Sequence, residues 1–213
     1  MRRYVVGVTG ASGSLCARSV LCRLLAHPEV EQVHVVLSRF SLMTIRAELE
    51  GPARSEEEAL RTLLGDRGPG ARAASRRPRR AASKIVLHRS GDMAAAISSG
   101  SYDTNGMVIV PCSGGTLAAV ANGVTGNLLH RAAEVTLKER RPLVLAFRET
   151  PVSLVHIENM RLAARAGAVI YPLIPAFYQR PGRVEEVVEG FTSRIFDLLR
   201  LRHDLGQPWG GRR

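Results

Sequence analysis

The feature that most constrains this chain is a series of short apolar runs, each followed by a turn of small residues and then by an amphipathic segment. The clearest run is Leu143–Phe147, which lies between Pro142 and the charged pair Arg148-Glu149. Five apolar residues rich in Leu and Val predict a strand that is buried on both faces, as in parallel sheets. Pro151 marks the end of the strand, because proline cannot donate a hydrogen bond to a sheet ladder.

The same alternation continues along the chain and predicts six strands with connecting helices. We expect strands at residues 4–8, 32–37, 84–88, 106–110, 143–147 and 168–171, and helices at residues 15–26, 40–50, 55–64, 92–97, 128–140, 153–166 and 184–200, with a further helix starting at residue 114. Strands that alternate with helices predict an α/β protein with a doubly wound parallel sheet and helices on both faces. The length of 213 residues suits a single domain.

The net charge of +11 is the strongest compositional signal and raises nucleic-acid binding as a possible function. Its distribution argues against that function. Much of the excess charge falls at residues 65–83, a stretch rich in Gly, Ala, Ser and Pro that lacks apolar periodicity. We predict that this basic insert is a solvated loop, and binding to a polyanion is the less favoured alternative.

Two features bear on the location of the protein. No apolar run is long enough to cross a bilayer, and the short apolar run near the start leads directly into glycine-rich sequence, which favours a first strand over a signal peptide. The cysteines Cys16, Cys22 and Cys112 are odd in number and match no metal motif. We therefore expect a cytoplasmic protein with reduced thiols and no membrane association.

Small and hydroxyl-bearing residues follow three of the predicted strands, at the points where the strands end. The carboxyl ends of parallel strands share one edge of the sheet, which is where open α/β sheets bind ligands. Glycines let a ligand approach the backbone, and helix N-termini attract anions. Together these segments predict a site for one phosphate and one flat ring, although each alone is also explained by a turn or a helix cap. The residues are Gly10, Ala11, Ser12, Ser38, Ser113, Gly114, Gly115 and Thr116.

Charged residues add to the same predicted edge. Arg148-Glu149 leaves the fifth strand there, and an adjacent cation and carboxylate can bind an anion and move a proton; a solvated ion pair is an equal alternative. Ser38 stands where a dinucleotide site carries an acidic residue for the adenosine ribose, so FMN is favoured over FAD or NAD. Arg194, in the last helix, either extends along the apolar surface to water or reaches a phosphate.

Several motifs, in this order, resemble the UbiX-like flavin prenyltransferases over nearly the whole chain outside residues 51–84 and the tail. Because several motifs occur together in the right order, the resemblance is specific. The motifs are Val8-Thr9-Gly10-Ala11-Ser12-Gly13, Met107-Val108-Ile109-Val110-Pro111-Cys112-Ser113, Leu137-Lys138-Glu139-Arg140-Arg141-Pro142-Leu143, Arg148-Glu149-Thr150-Pro151, His156 with Glu158-Asn159-Met160, and Pro175-Ala176-Phe177-Tyr178.

The resemblance implies a Rossmann-like, flavodoxin-like fold, with residues 1–201 as the flavoprotein domain and residues 202–213 as a polar tail. It implies FMN as cofactor and a homo-oligomer, usually a dodecamer. The implied reaction transfers a dimethylallyl group from dimethylallyl phosphate to reduced FMN without a metal. Its product, prenylated FMN, serves UbiD-type decarboxylases.

The resemblance also implies roles for individual residues. Glu149 protonates the leaving phosphate and later accepts a ring proton, with Ser12 as relay and Glu48 as a further carboxylate. Arg131 supports the site across a subunit interface. The implied FMN contacts are Gly10, Ala11, Ser12, Ser38, Ser113, Gly114, Gly115, Thr116 and Arg148, and the implied prenyl-phosphate contacts are Lys138, Arg148, Tyr178 and Arg194. The chain departs from the family at Met93, where an aromatic residue is usual, and at Gly114-Gly115.

Two other classes of function stay open at this point. A related FMN-dependent cysteine-type decarboxylase carries a catalytic histidine soon after the second strand, whereas this chain has no histidine between His34 and His88. A module that binds nucleic acid or a protein partner through the basic insert would not need Lys138, Glu149 and Tyr178 together. Both observations favour the prenyltransferase.

Overall fold

The structure is a computed structural model that describes residues 1–65 and 83–205. Six parallel strands form one sheet in the order β3-β2-β1-β4-β5-β6. This is the strand order of Rossmann folds, and without the edge strand β3 it is the order of flavodoxin, so the predicted fold class is confirmed. The strands are β1 (Arg2–Val8), β2 (Val30–Leu37), β3 (Ile85–His88), β4 (Met107–Cys112), β5 (Leu143–Phe147) and β6 (Val169–Ile170).

The connecting helices also follow the predicted order. They are α1 (Ser14–Ala26), α2 (Ser41–Leu49), α3 (Glu56–Leu63), α4 (Gly114–Ala121), α5 (Leu128–Lys138), α6 (Leu154–Arg165) and α7 (Val184–Leu198). Two predicted helices extend too far. Helix α5 ends before Arg140 and α7 before Arg200, because both arginines adopt left-handed backbone angles, with φ of 55° and 57°.

The helix predicted at residues 92–97 is wrong. Asp92 does accept a hydrogen bond, from the backbone N–H of Ala94 at 3.2 Å, but this bond closes a turn. Only one turn of 3₁₀-helix follows, at Ala96–Ser98. Asp92 therefore stabilises a local turn, which is the other common role of this residue type.

A second 3₁₀ turn lies at Phe177–Gln179.

The sheet is buried on both faces, as the apolar runs predict. Alternate residues of β1 point to opposite sides: Val6 packs in one apolar core with α1 and α7, and Val5 packs in the other with α4 and α5. All five residues of β5 are buried. Helices therefore cover both faces of the sheet, and this arrangement leaves the ends of the strands as the place for a ligand.

The direction of winding reverses between β1 and β4. After β1 the chain builds β2 and β3 on one side, then returns to place β4 on the other side of β1. The loops that follow β1 and β4 therefore diverge, which leaves a crevice at their carboxyl ends. Thr9 joins the two loops: its hydroxyl donates to the carbonyl of Pro111 at 2.7 Å and accepts from the N–H of Ser113 at 2.9 Å.

Part of the predicted basic insert and part of the tail, residues 66–82 and 206–213, lie outside the described residues. The chain is packed against the core up to residue 205, since Leu201 and Leu205 are buried. Within the described ranges, no helix combines the length and the apolar character that a membrane span requires.

Candidate active site

The turn after β1 packs closely against the start of α2. A Cβ atom added to Gly10 would lie 2.6 Å from the Cβ of Phe40, so only glycine fits at this position. Ser38, at the end of β2, is held beside this turn because its N–H donates to the carbonyl of Val8 at 2.9 Å. The Ser38 hydroxyl also accepts from the N–H of Ser41 at 3.2 Å. Gly10 and Ser38, both predicted site residues, therefore lie together.

Glu48 lies at the N-terminus of α1, although it belongs to α2. The N–H groups of Gly13 and Ser14 donate to its carboxylate at 3.1 and 2.7 Å. Burial acts to raise the pKa of Glu48, but hydrogen bonds from the Ser12 hydroxyl and from these backbone groups outweigh it, so the pKa is lowered. Glu48 is therefore an ionised acceptor that satisfies the first N–H groups of α1.

The turn after β4 begins helix α4 with a hydroxyl cap. The Ser113 hydroxyl accepts from the N–H of Thr116 at 3.4 Å, which makes Ser113 the N-cap. The N–H groups of Gly114 and Gly115, the first two of the helix, have no acceptor within it. A Cβ added to Gly115 would meet no atom within 4 Å. The helix start is thus open to a ligand and can present backbone donors to an anion.

The loop after β5 carries Arg148 and Glu149, and both side chains are exposed. The N–H of Arg148 donates to the carbonyl of Cys112 at 3.0 Å, which fixes the start of the loop to the end of β4. Among the residues that the structure describes, the carboxylate of Glu149 accepts one local bond, from the N–H of Thr150 at 3.1 Å. In residues 1–65 and 83–205, no ion pair within 4 Å joins Arg148 to Glu149, so the alternative of a solvated ion pair is not what the structure contains.

Two predicted cations lie on α5, at different ends of the helix. Lys138 is the last residue of α5 and precedes β5 closely, so it lies near the amino ends of the strands, and its ammonium group pairs with Glu139. Arg131 donates to the carbonyl of Ser98 at 3.0 Å and pairs with Glu134 at 2.5 Å. The structure therefore keeps Lys138 away from the carboxyl edge of its own chain. The start of α5, near Arg131, lies beside the chain that follows β3, because the N–H of Leu128 donates to the carbonyl of Ser90 at 2.8 Å.

Tyr178 and Arg194 lie together at a second place. Both line a cavity of about 1150 Å³ between the Phe177–Gln179 turn, α7 and the chain after it. Arg194 pairs with Asp197 at 3.2 Å, and Arg200 and Arg202 add positive charge to the lining. The lining contains none of the predicted residues of the strand-end turns. The predicted prenyl-phosphate contacts therefore divide between the carboxyl edge, this cavity and α5.

Comparison with known proteins identifies the family. A family model described as Flavoprotein matches residues 1–190. The flavin prenyltransferase LpdB of Lactiplantibacillus plantarum is 38% identical over 211 residues, which cover 99% of this chain and 100% of that protein. The chain belongs to the flavin prenyltransferase family.

Solved structures agree with this assignment. AnUbiX (PadA1), solved with FMN and dimethylallyl pyrophosphate, is 38% identical with a TM-score of 0.81, and the match covers 100% of this chain and 99% of that one. A dodecameric FMN-dependent UbiX-like decarboxylase from Escherichia coli O157:H7 is 35% identical with a TM-score of 0.81, over 98% of this chain and 100% of that one. The resemblance stated from the motifs is confirmed: this enzyme is a flavoprotein with FMN as cofactor.

Two residues beside the site were given no role from sequence, although His156 belongs to one of the family motifs. Phe40 packs on Gly10, yet 66% of it is exposed at the edge of the crevice. An aromatic residue two positions after a strand-end serine is the signal that could have indicated it. His156 contacts the loop of Glu149, and its position three residues after the N-cap Ser153 could have indicated a capping role.

Proposed function

We propose that this enzyme transfers a dimethylallyl group from dimethylallyl phosphate to reduced FMN, with prenylated FMN as the product. The observation that carries the proposal is the convergence of three turns at one edge of the sheet. Thr9 joins the turns after β1 and β4, and the Arg148–Cys112 hydrogen bond adds the loop after β5. This edge holds small backbone donors, a cation and a carboxylate, which are the groups that a phosphorylated flavin and a proton transfer require.

The residues at this edge fit FMN. Gly115 faces open space, and the N–H groups at the start of α4 suit a phosphate. Gly10 and Ala11 offer backbone without bulk, and Ser12, Ser38 and Thr116 offer hydroxyls. When bound, reduced FMN supplies the nucleophile for the allyl group. We assign its contacts to Gly10, Ala11, Ser12, Ser38, Ser113, Gly114, Gly115, Thr116 and Arg148.

The two carboxylates have different parts in this proposal. Glu149, exposed and held only by a local bond, donates a proton to the oxygen of the departing phosphate and later accepts a proton from the prenylated ring. Ser12 relays that proton. Glu48, which is held by the N–H groups of Gly13 and Ser14 directly after Ser12, supplies a fixed negative charge beside this relay. Glu149, Ser12 and Glu48 thus act through proton transfer or charge, and none of them forms a covalent bond to the substrate.

The cations require a neighbouring subunit. Lys138, at the end of α5, and Tyr178 with Arg194, in the cavity beside α7, do not meet the turns after β1, β4 and β5 within one chain, and Arg131 is paired with Glu134. We propose that a homo-oligomer, a dodecamer like the E. coli O157:H7 relative, brings these residues from adjacent copies to the phosphate of the prenyl donor. Positive charge and a phenol would stabilise the departing phosphate, and apolar walls would exclude water.

The remaining parts of the proposal concern context. We propose residues 1–201 as the flavoprotein domain, residues 202–213 as a tail, and a cytoplasmic location. The recipient of prenylated FMN is a UbiD-type decarboxylase. A low-molecular-weight filtrate from the reaction should restore activity to such a decarboxylase purified without its cofactor, whereas a filtrate from a reaction without prenyl donor should not.

The decisive experiment follows flavin chemistry directly. The purified full chain is mixed anaerobically with reduced FMN and dimethylallyl phosphate, and the flavin is analysed by absorbance and mass. We expect the mass of the flavin to increase by that of one dimethylallyl group. A parallel reaction with dimethylallyl pyrophosphate, the compound in the AnUbiX crystal, decides between the two donors. Unmodified FMN with both donors would contradict the proposal.

A further inference from the structure

His156 lies beside the loop of Glu149 and has no part in the function proposed above. It is the third residue of α6, after the N-cap Ser153. Its backbone N–H donates to the Ser153 hydroxyl at 3.3 Å, and its ring Nδ1 accepts from the Ser153 N–H at 3.1 Å. This reciprocal pair is a capping box, in which the third residue is usually Glu or Gln. Because Nδ1 accepts, the neutral ring carries its proton on Nε2.

The ring of His156 contacts both sides of the candidate site. Its centroid lies 5.9 Å from that of Phe147, the last residue of β5. On its other side, Nε2 lies so close to Gly114 that a Cβ added there would be 2.8 Å away. His156 therefore contacts Phe147, which precedes the loop of Glu149, and Ser153, which ends that loop. It also contacts Gly114 in the turn after β4.

Few other contacts within residues 1–65 and 83–205 hold this loop, residues 148–153. Every side chain from Arg148 to Val155 is exposed. The start of the loop is fixed by the hydrogen bond from Arg148 to Cys112, and its end by the capping box of Ser153 and His156. The position of Glu149 between these two points thus depends on His156, because an exposed loop has few packing contacts to order it.

We propose that His156 is a positioning residue, which fixes the loop of Glu149 relative to the turn after β4. It acts through its hydrogen bond to Ser153 and through its ring, which fills the space between Phe147 and Gly114. The inference rests on the proposed function, since the reaction gives Glu149 its importance. A small displacement of a catalytic group can reduce turnover strongly without loss of binding.

A second histidine provides a matched control. His130 is the third residue of α5, its N–H donates to the N-cap Asn127 at 2.9 Å, and its Nδ1 lies 3.3 Å from the Asn127 side-chain amide. The residues before α5 carry none of the proposed FMN or substrate contacts, and Arg131, the next residue, is held separately by its bonds to Ser98 and Glu134. His130→Ala should therefore report the cost of removing a capping histidine as such.

The test compares His156→Ala, His156→Gln and His130→Ala in the full chain. With reduced FMN and dimethylallyl phosphate, His156→Ala should lower kcat about tenfold or more, while KM and the FMN Kd change less than about threefold. His156→Gln should recover most of kcat, because Gln is a usual third residue of a capping box. His130→Ala should lower the melting temperature as much as His156→Ala does and leave kcat near the wild-type value.

Hydrogen exchange gives a readout that does not need activity. Peptides that cover residues 148–153 should exchange faster in His156→Ala than in the wild type, and His130→Ala should not change them. If the wild type forms no prenylated FMN, the proposed function fails, and the exchange still decides the inference about His156.

Three results would overturn the inference. They are unchanged exchange of residues 148–153 in His156→Ala, a loss of kcat in His156→Gln equal to that in His156→Ala, and a loss of kcat in His130→Ala of the same size. Should His156→Ala fail to fold, Ser153→Ala removes the cap and keeps the ring. It should then show the same faster exchange and lower kcat, and wild-type values for both would reject the proposal.

Discussion

Glu48 and Glu149 are two carboxylates proposed for one reaction, and their surroundings in the structure are opposite. Glu48 accepts hydrogen bonds from the N–H groups of Gly13 and Ser14, which keep it ionised at the start of α1. Glu149 stands exposed on a loop and accepts one bond from the N–H of the next residue. Glu48 is thus occupied as an acceptor for backbone groups, whereas the carboxylate of Glu149 is exposed and can be reached by a substrate.

The contrast separates stability from turnover. A carboxylate bound by a helix N-terminus stabilises the fold, because it satisfies backbone donors and interacts with the helix dipole. A carboxylate on an exposed loop contributes little to stability, so its presence there is better explained by function. The two residues should therefore respond differently to the same change, from Glu to Gln.

The largest effect should come from Glu149→Gln. Gln keeps the size of Glu and can still accept a hydrogen bond, but it cannot exchange a proton. We expect kcat to fall on the order of a hundredfold or more, the scale of general acid–base catalysis, with the FMN Kd and the free energy of unfolding nearly unchanged. Anaerobic assays with reduced FMN and variable dimethylallyl phosphate give kcat, and urea denaturation gives the stability. A Glu149→Gln variant with wild-type turnover would remove the residue from the mechanism.

A smaller effect should follow from loss of a cation. Arg194→Ala should raise KM for dimethylallyl phosphate about tenfold, because a cation that binds the phosphate contributes before and during the reaction. Arg161→Ala is the matched control, since Arg161 pairs with Glu158 as Arg194 pairs with Asp197, three residues apart on one helix. Equal KM values for the two variants would place Arg194 outside the substrate site.

Lys138 tests the shared site. Lys138→Ala should also raise KM, although Lys138 lies on α5 of its own chain and pairs with Glu139. If the residue acts on a neighbouring subunit, mixed oligomers of Lys138→Ala and Glu149→Gln chains should be more active than either variant alone. Mixtures that show only the average activity of the two variants would place Lys138 and Glu149 in the same subunit's site, or Lys138 outside it.

The sequence predicts the sheet better than the spatial arrangement of the site. Strand β5 is predicted to the residue, because an apolar run bounded by proline and charge has few other structures available. The turns after β1, β2 and β4 are also predicted, since parallel strands must end at one edge. The separation of Lys138 and Tyr178 from that edge is not predicted from the sequence, because it depends on tertiary packing and on neighbouring subunits that a single sequence does not specify. The bond of Glu48 to α1 escapes prediction for the same reason, since it joins residues 35 positions apart.

The smallest effect should come from Glu48→Gln, and it should appear in stability. Loss of the ionised acceptor at the α1 N-terminus should reduce the free energy of unfolding by about 1 kcal/mol at neutral pH, the usual cost of losing a helix cap. Because the pKa of Glu48 is lowered in the folded state, its contribution is complete above the ordinary carboxyl pKa of 4.5 and disappears as the pH falls through the folded-state pKa. The difference in unfolding free energy between wild type and variant should therefore shrink at acid pH, as urea denaturation across the pH range would show.

A difference that stays constant from neutral to acid pH would mean that the shape of Glu48, and not its charge, makes it stabilising. A loss of kcat as large as that of Glu149→Gln would mean that the two carboxylates share the proton transfer.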